Sequence, residues 1–227
     1  KMNLTKLNLV FLSGAGAVGK TCVAQELLKH NSNGTPIRVV PSTTRASYAK
    51  VGVESERATT GMIPEMLMRL QKQIFKDYAD SLLANLDAAI NDNVKVLVVD
   101  RSPFDHASYY LNCLPSLTMG EIEEYLQLVD LVFDGVVSNP MAVTSVWFFK
   151  YPTSWTSKTA TEDADLFRRA PAGKNLVWSM TLGSMLNEVV TRRGDLFKFD
   201  ITDQNHASPG ARAKMIMNKL AYIKRVR

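Results

Sequence analysis

The stretch from Leu7 to Thr21 constrains this chain most, because it places a glycine-rich loop between a predicted strand and a predicted helix. The strand prediction depends on the apolar run at residues 7–12, and the helix prediction on the amphipathic spacing of residues 21–28. Between them, the chain satisfies every fixed position of the pattern G-x-x-x-x-G-K-[ST]. A loop with this sequence in this context predicts the binding of a nucleoside triphosphate.

Each fixed residue of the loop has a physical role in holding phosphates. The glycines let the backbone curl so that its N–H groups converge on an anion, and the helix that follows adds its positive end. Lys20 is expected to reach the terminal phosphates, and the Thr21 hydroxyl is expected to ligate Mg²⁺. The predicted nucleotide-binding residues are Gly14, Ala15, Gly16, Ala17, Val18, Gly19, Lys20, Thr21 and Cys22.

Short apolar runs alternate with helical patterns along the chain, which is typical of a parallel sheet covered by helices on both faces. We therefore predict an α/β fold of three layers, α/β/α, with a five-stranded parallel sheet. Pro64 fits the first turn of a long helix, and Thr118 with Glu121 reads as a capping box. The strand-like runs lie at residues 7–12, 37–40, 94–99, 143–149 and 196–199.

Composition favours one domain, spanning residues 2–227 of a chain that is 46% hydrophobic and 22% charged. The apolar runs are of strand length, so we expect no membrane-spanning segment. Cys22 and Cys113 form no disulfide framework, which favours reduced thiols and a cytoplasmic location, with Cys22 packing inward on its helix. His30, His106 and His206 lack the spacing of zinc ligands.

The third apolar run ends in Asp100-Arg101-Ser102, and Asp105 follows shortly after. A carboxylate at the C-terminal end of a strand beside a phosphate-binding loop points into the crevice where ligands bind. Asp100 could bind Mg²⁺ through water or accept the proton of an attacking hydroxyl, and Arg101 could hold a phosphate. The alternative is that Asp100 or Ser102 caps the next helix. We assign Asp105, with Asp100 and Arg101, to the acceptor site.

Together the loop, the Asp100-Arg101-Ser102 motif and the order of elements resemble the nucleoside and nucleotide kinases of the P-loop class, including deoxynucleoside kinases and nicotinamide-riboside-kinase-like proteins. The resemblance implies that Asp100 is the general base. The sequence does not fix the base of the donor, and ATP with Mg²⁺ is the default because no guanine-binding motif is present. The resemblance also implies a mobile lid after the fourth strand, at about residues 151–174. Arg168 and Arg169 would then clamp the phosphates when the lid closes.

A second resemblance concerns residues 42–45, where Ser-x-Thr-Arg follows the second strand. Guanylate-kinase-like enzymes hold the phosphate of their acceptor with a similar stretch, which makes Arg45 a candidate substrate-binding residue. The second arginine of that pattern is replaced here by Tyr48, with Lys50 nearby. The aromatic residues that could stack on a substrate base also fit buried helix stripes, and we expect them to be core: Phe75, Tyr78, Tyr109 and Tyr110.

Three functions remain open from the sequence. The first is a kinase that acts on a free nucleoside or nucleotide, and the second is a kinase that acts on a hydroxyl of DNA or RNA, such as a hydroxymethylated pyrimidine. The third is a nucleotide-controlled switch or motor, although the chain lacks the D-x-x-G and N-K-x-D patterns of GTPase switches in the expected places. The oligomeric state is open, a homodimer included.

The C-terminal segment bears on the second function, because six basic residues occur there without any acidic one, in a chain of net charge +5. Such a segment is either a solvated helix face or a footprint for the phosphates of DNA. The six residues are Arg212, Lys214, Lys219, Lys224, Arg225 and Arg227.

Overall fold

The computed structural model confirms the predicted α/β architecture. The described part of the chain comprises residues 6–15, 18–30, 34–53, 62–113, 117–150, 172–193, 196–201 and 208–226. Its elements, in chain order, are β1 (Leu7–Gly14), α1 (Lys20–Lys29), β2 (Ile37–Val40), α2 (Thr44–Lys50), α3 (Pro64–Asn91), β3 (Val96–Asp100), α4 (Pro103–Cys113), α5 (Met119–Val137), β4 (Ala142–Phe149), α6 (Ala172–Arg192), β5 (Phe197–Ile201) and α7 (Pro209–Val226).

All strand pairs of the sheet are parallel, and the strand order is β2-β3-β1-β4-β5. The connection from β1 to β2 runs across the sheet in the opposite direction to the three later connections between strands. Because crossovers between parallel strands are right-handed, α1 lies on one face of the sheet and the other crossover helices lie on the opposite face. The packing agrees, since α1 contacts α7, while α4 contacts α3, α5 and α6. The result is the predicted three-layer arrangement.

The central strand β1 is buried along its whole length, because it pairs with β3 on one side and β4 on the other. Near the carboxyl end of β1, Leu12 pairs with Asp100, the last residue of β3. The connections from β1 and β3 leave toward opposite faces of the sheet. This makes the carboxyl ends of these two strands the switch point where α/β proteins bind their ligands.

Two helix starts predicted from local signals are confirmed. Pro64 occupies the start of α3, where its missing N–H costs nothing. Thr118 caps α5: its hydroxyl accepts from the Glu121 N–H, and the Glu121 carboxylate accepts from the Thr118 N–H at 2.8 Å. Among the described residues, no helix is both long and apolar enough to cross a bilayer.

The lid prediction is not tested, because residues 151–171 lie outside the described part of the chain. The helix α6 begins at Ala172, within the last residues of the segment that the sequence assigned to the lid. The prediction that Cys22 packs inward was wrong, since this side chain is exposed. The buried side of α1 instead carries Val23, Ala24 and Leu27.

Candidate functional site

The glycine-rich loop that the sequence predicts to bind phosphates leaves β1 at Gly14 and enters α1 at Lys20, with Gly16 and Ala17 outside the described residues. Gly19 caps α1 in the left-handed conformation, with φ of 85°. The Lys20 ammonium is buried and donates to the carbonyl oxygens of Gly14 at 2.6 Å and Ala15 at 2.7 Å. The lysine therefore lies across the loop, at the start of a helix whose positive end faces the same space.

Gly14 is required by its surroundings as well as by its backbone. Its φ is +149°, and a Cβ there would lie 2.7 Å from the Phe149 carbonyl oxygen and 3.1 Å from a Val18 methyl group. The close approach of β1 to β4 therefore fixes the beginning of the loop.

We expect Gly14→Ala to lower the free energy of unfolding by about 2–4 kcal/mol, from overpacking plus backbone strain. Urea denaturation measures the loss. Gly34→Ala is the matched control, because Gly34 has φ of +77° but no neighbour within 4 Å of its added Cβ. Equal losses in the two variants would mean that the contact with Phe149 contributes nothing.

Thr21 and Asp100 meet across the switch point, where the Thr21 hydroxyl donates to Asp100 Oδ2 at 2.7 Å. The predicted Mg²⁺ ligands are thus together. Both offer the hard oxygen donors that Mg²⁺ prefers, and this ion commonly takes only one or two ligands from the protein and the rest from water and phosphates. The donor pair therefore fits Mg²⁺, although the described residues contain no cluster of three or more His, Cys, Asp or Glu that would bind a metal unaided.

Arg101 has an unusual backbone conformation, with φ of 98° in a residue that is not glycine. The surroundings hold this conformation, because its N–H donates to the Leu12 carbonyl at 3.0 Å and its carbonyl accepts from the Tyr78 hydroxyl at 2.9 Å. The guanidinium carbon lies 5.2 Å from the ring centroid of Trp178 on α6. Sequence reasoning did not single out Trp178, since an isolated tryptophan carries no motif.

Asp105 does not lie where the acceptor assignment expected it. It is 0% exposed, and its carboxylate accepts hydrogen bonds from Gly14 and Ser102. The carboxylate is thus enclosed by protein because α4 turns this side chain inward, beneath the loop. The capping alternative for Asp100 is also not favoured, since its carboxylate bonds to Thr21.

A cavity opens beside Asp100 and encloses about 270 Å³ of space outside protein atoms, part of it continuous with solvent. Its walls come from the end of β2, the start of α2, and side chains of α3 and α4. The lining includes Ser42, Thr43, Thr44, Tyr78, Arg101 and His106.

Three of the four residues in the Ser-x-Thr-Arg stretch, residues 42–45, line this cavity. Ser42, Thr43 and Thr44 line it, while Arg45 is the second residue of α2 and its side chain lies outside the described part. Lys50 is held by an ion pair with Asp77 at 2.7 Å. It therefore does not stand in for the missing second arginine in this structure.

The aromatic candidates are mainly core, as expected. Phe75 and Tyr110 are fully buried, and Tyr110 stacks on Tyr125 at 3.9 Å between ring centroids. Tyr109 is packed edge-on against Trp178. Tyr78 is different, because it is buried and also lines the cavity.

His106 is the residue of the cavity wall that sequence reasoning missed. It is 7% exposed, its ring centroid lies 4.3 Å from that of Tyr78, and its Nε2 has no hydrogen-bond partner. Burial, with a smaller contribution from the charge of Arg101, lowers the pKa of this imidazole to about 3. The imidazole is therefore neutral at physiological pH and keeps both a donor and an acceptor nitrogen.

This lowered pKa predicts a specific loss of stability in mild acid. Below the ordinary pKa of 6.5, the unfolded chain binds a proton at His106 that the folded protein does not bind until about pH 3. Between pH 7.5 and 5 the free energy of unfolding should fall by about 2 kcal/mol from this residue alone. Urea denaturation of His106→Gln should lack this part of the loss, whereas His30→Gln should retain it. Parallel pH profiles of wild type and His106→Gln would contradict the assignment.

The C-terminal helix contributes to the loop through Arg212. Its guanidinium is buried, donates to the Val18 carbonyl at 3.0 Å, and lies 5.8 Å from the ring centroid of Phe149. Arg212 therefore stabilises the glycine-rich loop. The sequence-based prediction that Arg212 lies on an exposed helix face was wrong, because this side chain is buried. Lys219 lies over the ring of Phe199, and Lys214 is exposed.

The side chains of Lys224 and Arg225, and all of Arg227, lie outside the described part of the chain. The same holds for Arg168 and Arg169 of the predicted lid.

No protein-family profile matches the chain, and no curated protein matches it in sequence. Solved structures do match. One is "NadR protein in complex with NR", with a TM-score of 0.60 and 14% identity over 94% of this chain and 51% of that one.

Two further matches are structures of deoxyadenosine kinase from M. mycoides. The form with bound dATP has a TM-score of 0.58 and 15% identity, and the form with bound dCTP has 0.54 and 14%. Each covers 94% of this chain and 99% of the kinase. The chain therefore has the fold of the P-loop nucleoside kinases. It spans about half the length of the NadR chain.

Proposed function

We propose that this protein is an ATP-dependent kinase that transfers the γ-phosphoryl group to a small nucleoside or nucleotide. The observation that carries the proposal is the contact between Thr21 and Asp100 at the switch point, with Lys20 on one side and the cavity on the other. A donor site and an acceptor site thus share one carboxylate. The likeness in fold to NadR with NR and to deoxyadenosine kinase supports this choice.

On the donor side, the loop supplies converging backbone N–H groups and the Lys20 ammonium for the phosphates of ATP. The carbonyl oxygens that Lys20 now contacts are weaker partners than charged phosphate oxygens, so the ammonium would turn to the β- and γ-phosphates. Thr21 and Asp100 would hold Mg²⁺, which supplies neutralisation of the phosphate charge when it is bound.

On the acceptor side, Asp100 would accept the proton of the attacking hydroxyl at its carboxylate. Arg101, in its constrained backbone, would bind the phosphate that is being transferred or an acceptor phosphate. Arg45 would assist with an acceptor phosphate. Arg168 and Arg169 would close over the reacting groups and exclude water.

The cavity favours a flat, uncharged group next to Asp100. Its wall presents the ring of Tyr78 and the neutral imidazole of His106, whose Nε2 is unpaired. A nucleobase offers an aromatic face for the first and a hydrogen-bonding edge for the second. We therefore place the base of the acceptor here and its reacting hydroxyl at Asp100.

Incubation with γ-labelled ATP tests the proposal. The panel should contain nucleosides, nucleoside monophosphates and duplex DNA, and the label should appear in one of the small acceptors. Label in DNA alone would establish the polymeric acceptor, and label in no acceptor would refute the kinase.

A kinase acting on DNA is the second candidate, favoured by the basic C-terminal helix. For the small acceptor, we expect Lys214→Ala/Lys219→Ala to leave turnover unchanged, because α7 packs on α1, on the face opposite α3 and α4. Turnover with labelled ATP and the small acceptor checks this, and filter retention of duplex DNA at rising salt tests the alternative. If DNA were the acceptor, each lost phosphate contact would lower the slope of log affinity against log salt by about 0.9.

A further inference from the structure

Asp105 is a fully buried carboxylate whose hydrogen-bond donors are all uncharged. Oδ1 accepts from the Gly14 N–H at 2.9 Å, and Oδ2 accepts from both the N–H and the hydroxyl of Ser102, each at 2.8 Å. Burying a carboxylate is costly unless several donors satisfy it, and both oxygens are satisfied here. The chain thus retains an acidic side chain in its core at a point where that side chain accepts three specific hydrogen bonds.

These three bonds join the two halves of the candidate site. Gly14 ends β1 and begins the phosphate-binding loop, whereas Ser102 follows Asp100 by two residues. The two bonded segments are about ninety residues apart along the chain, since Gly14 and Asp105 are separated by 91 positions. One carboxylate therefore spans the distance between the loop that would hold ATP and the strand end that would activate the acceptor.

We propose that Asp105 is a positioning residue that fixes the phosphate-binding loop relative to Asp100 and touches neither substrate. The effect of Asp105 on phosphoryl transfer rests on the proposed kinase function. Its effect on the loop does not, because nucleotide binding is measured without any acceptor.

The carboxylate is the group that this position requires. Its two oxygens face backbone N–H groups, of Gly14 on one side and Ser102 on the other. An asparagine has the same shape, but in either orientation it would turn its NH₂ group toward one of these N–H donors. A backbone N–H cannot reverse, so one segment must move away from the side chain. A displacement of about 1 Å at reacting groups can reduce a rate about 10²-fold.

The test compares Asp105→Asn with Ser102→Ala, and Asp92→Asn is the control because its carboxylate lies at the surface, paired with Arg38. Affinity for a non-hydrolysable ATP analogue with Mg²⁺ is measured by calorimetry, and kcat and KM by phosphoryl transfer. Both are measured at a temperature at which circular dichroism shows each variant folded.

For Asp105→Asn we expect about 10-fold weaker binding of the analogue and about 10²-fold lower kcat. For Ser102→Ala we expect about fivefold lower kcat with unchanged affinity, because the bond to Gly14 remains. A folded Asp105→Asn with wild-type affinity and kcat would overturn the proposal. If Asp105→Asn does not fold, Ser102→Ala decides, and an unchanged kcat there would overturn it. If the wild type transfers no phosphoryl group, the proposed function fails, while the affinity of Asp105→Asn still tests the link to the loop.

Discussion

Lys20→Ala is expected to reduce phosphoryl transfer by about 10³-fold or more while the protein stays folded. The ammonium sits at the start of α1 and contacts two carbonyl oxygens of the loop, whereas the Arg212 guanidinium is bonded to the Val18 carbonyl. Its loss removes the charge that would stabilise the β- and γ-phosphates during transfer. Turnover with labelled ATP and thermal unfolding should be measured on the same preparation.

Lys29→Ala provides the matched control, because Lys29 ends the same helix and its side chain is 70% exposed. This variant should keep wild-type turnover. A Lys20→Ala protein with full activity would remove the assignment of the loop as the donor site.

Asp100→Asn should lower turnover by about 10²–10⁴-fold and should change ATP affinity far less. The amide can still accept the hydrogen bond from Thr21, so the local shape is kept. It cannot accept the proton of an attacking hydroxyl, and it is a weaker ligand for Mg²⁺. Steady-state kinetics should be combined with calorimetry of ATP binding.

The control is Asp80→Asn on α3, an exposed carboxylate paired with Lys76. It should leave both quantities unchanged. If Asp100→Asn reduced binding and turnover together by only a few-fold, Asp100 would have a structural role instead.

The fold was predictable because its signals are local. The apolar residues of β1 are consecutive in the chain, and the capping pair Thr118–Glu121 is three residues apart. Each of these signals formed the predicted element. The alternation of strands and helices then restricts the sheet to a few topologies. Asp100 was found for the same reason, since it directly ends a buried strand.

The rest of the site depends on contacts between distant segments, which no spacing in the sequence reports. Arg212 reaches Val18 across 194 positions, and among the basic residues around it nothing marks it as the buried one. His106 and Asp105 are adjacent on α4, yet one lines the cavity and the other bonds to the loop. Which of the two faces the cavity follows from how α4 packs against its neighbours, and no spacing in the sequence reports that packing.

A balance of the products distinguishes a reaction between ATP and a small acceptor at the switch point from the hydrolysis of ATP. With the best acceptor of the panel in excess, chromatography should give one ADP for each phosphorylated nucleoside or nucleotide, with little inorganic phosphate. Omitting the acceptor should stop the formation of ADP. ADP and inorganic phosphate released in equal amounts, at a rate that is independent of the acceptor, would contradict the kinase and indicate a nucleotide-controlled switch or motor.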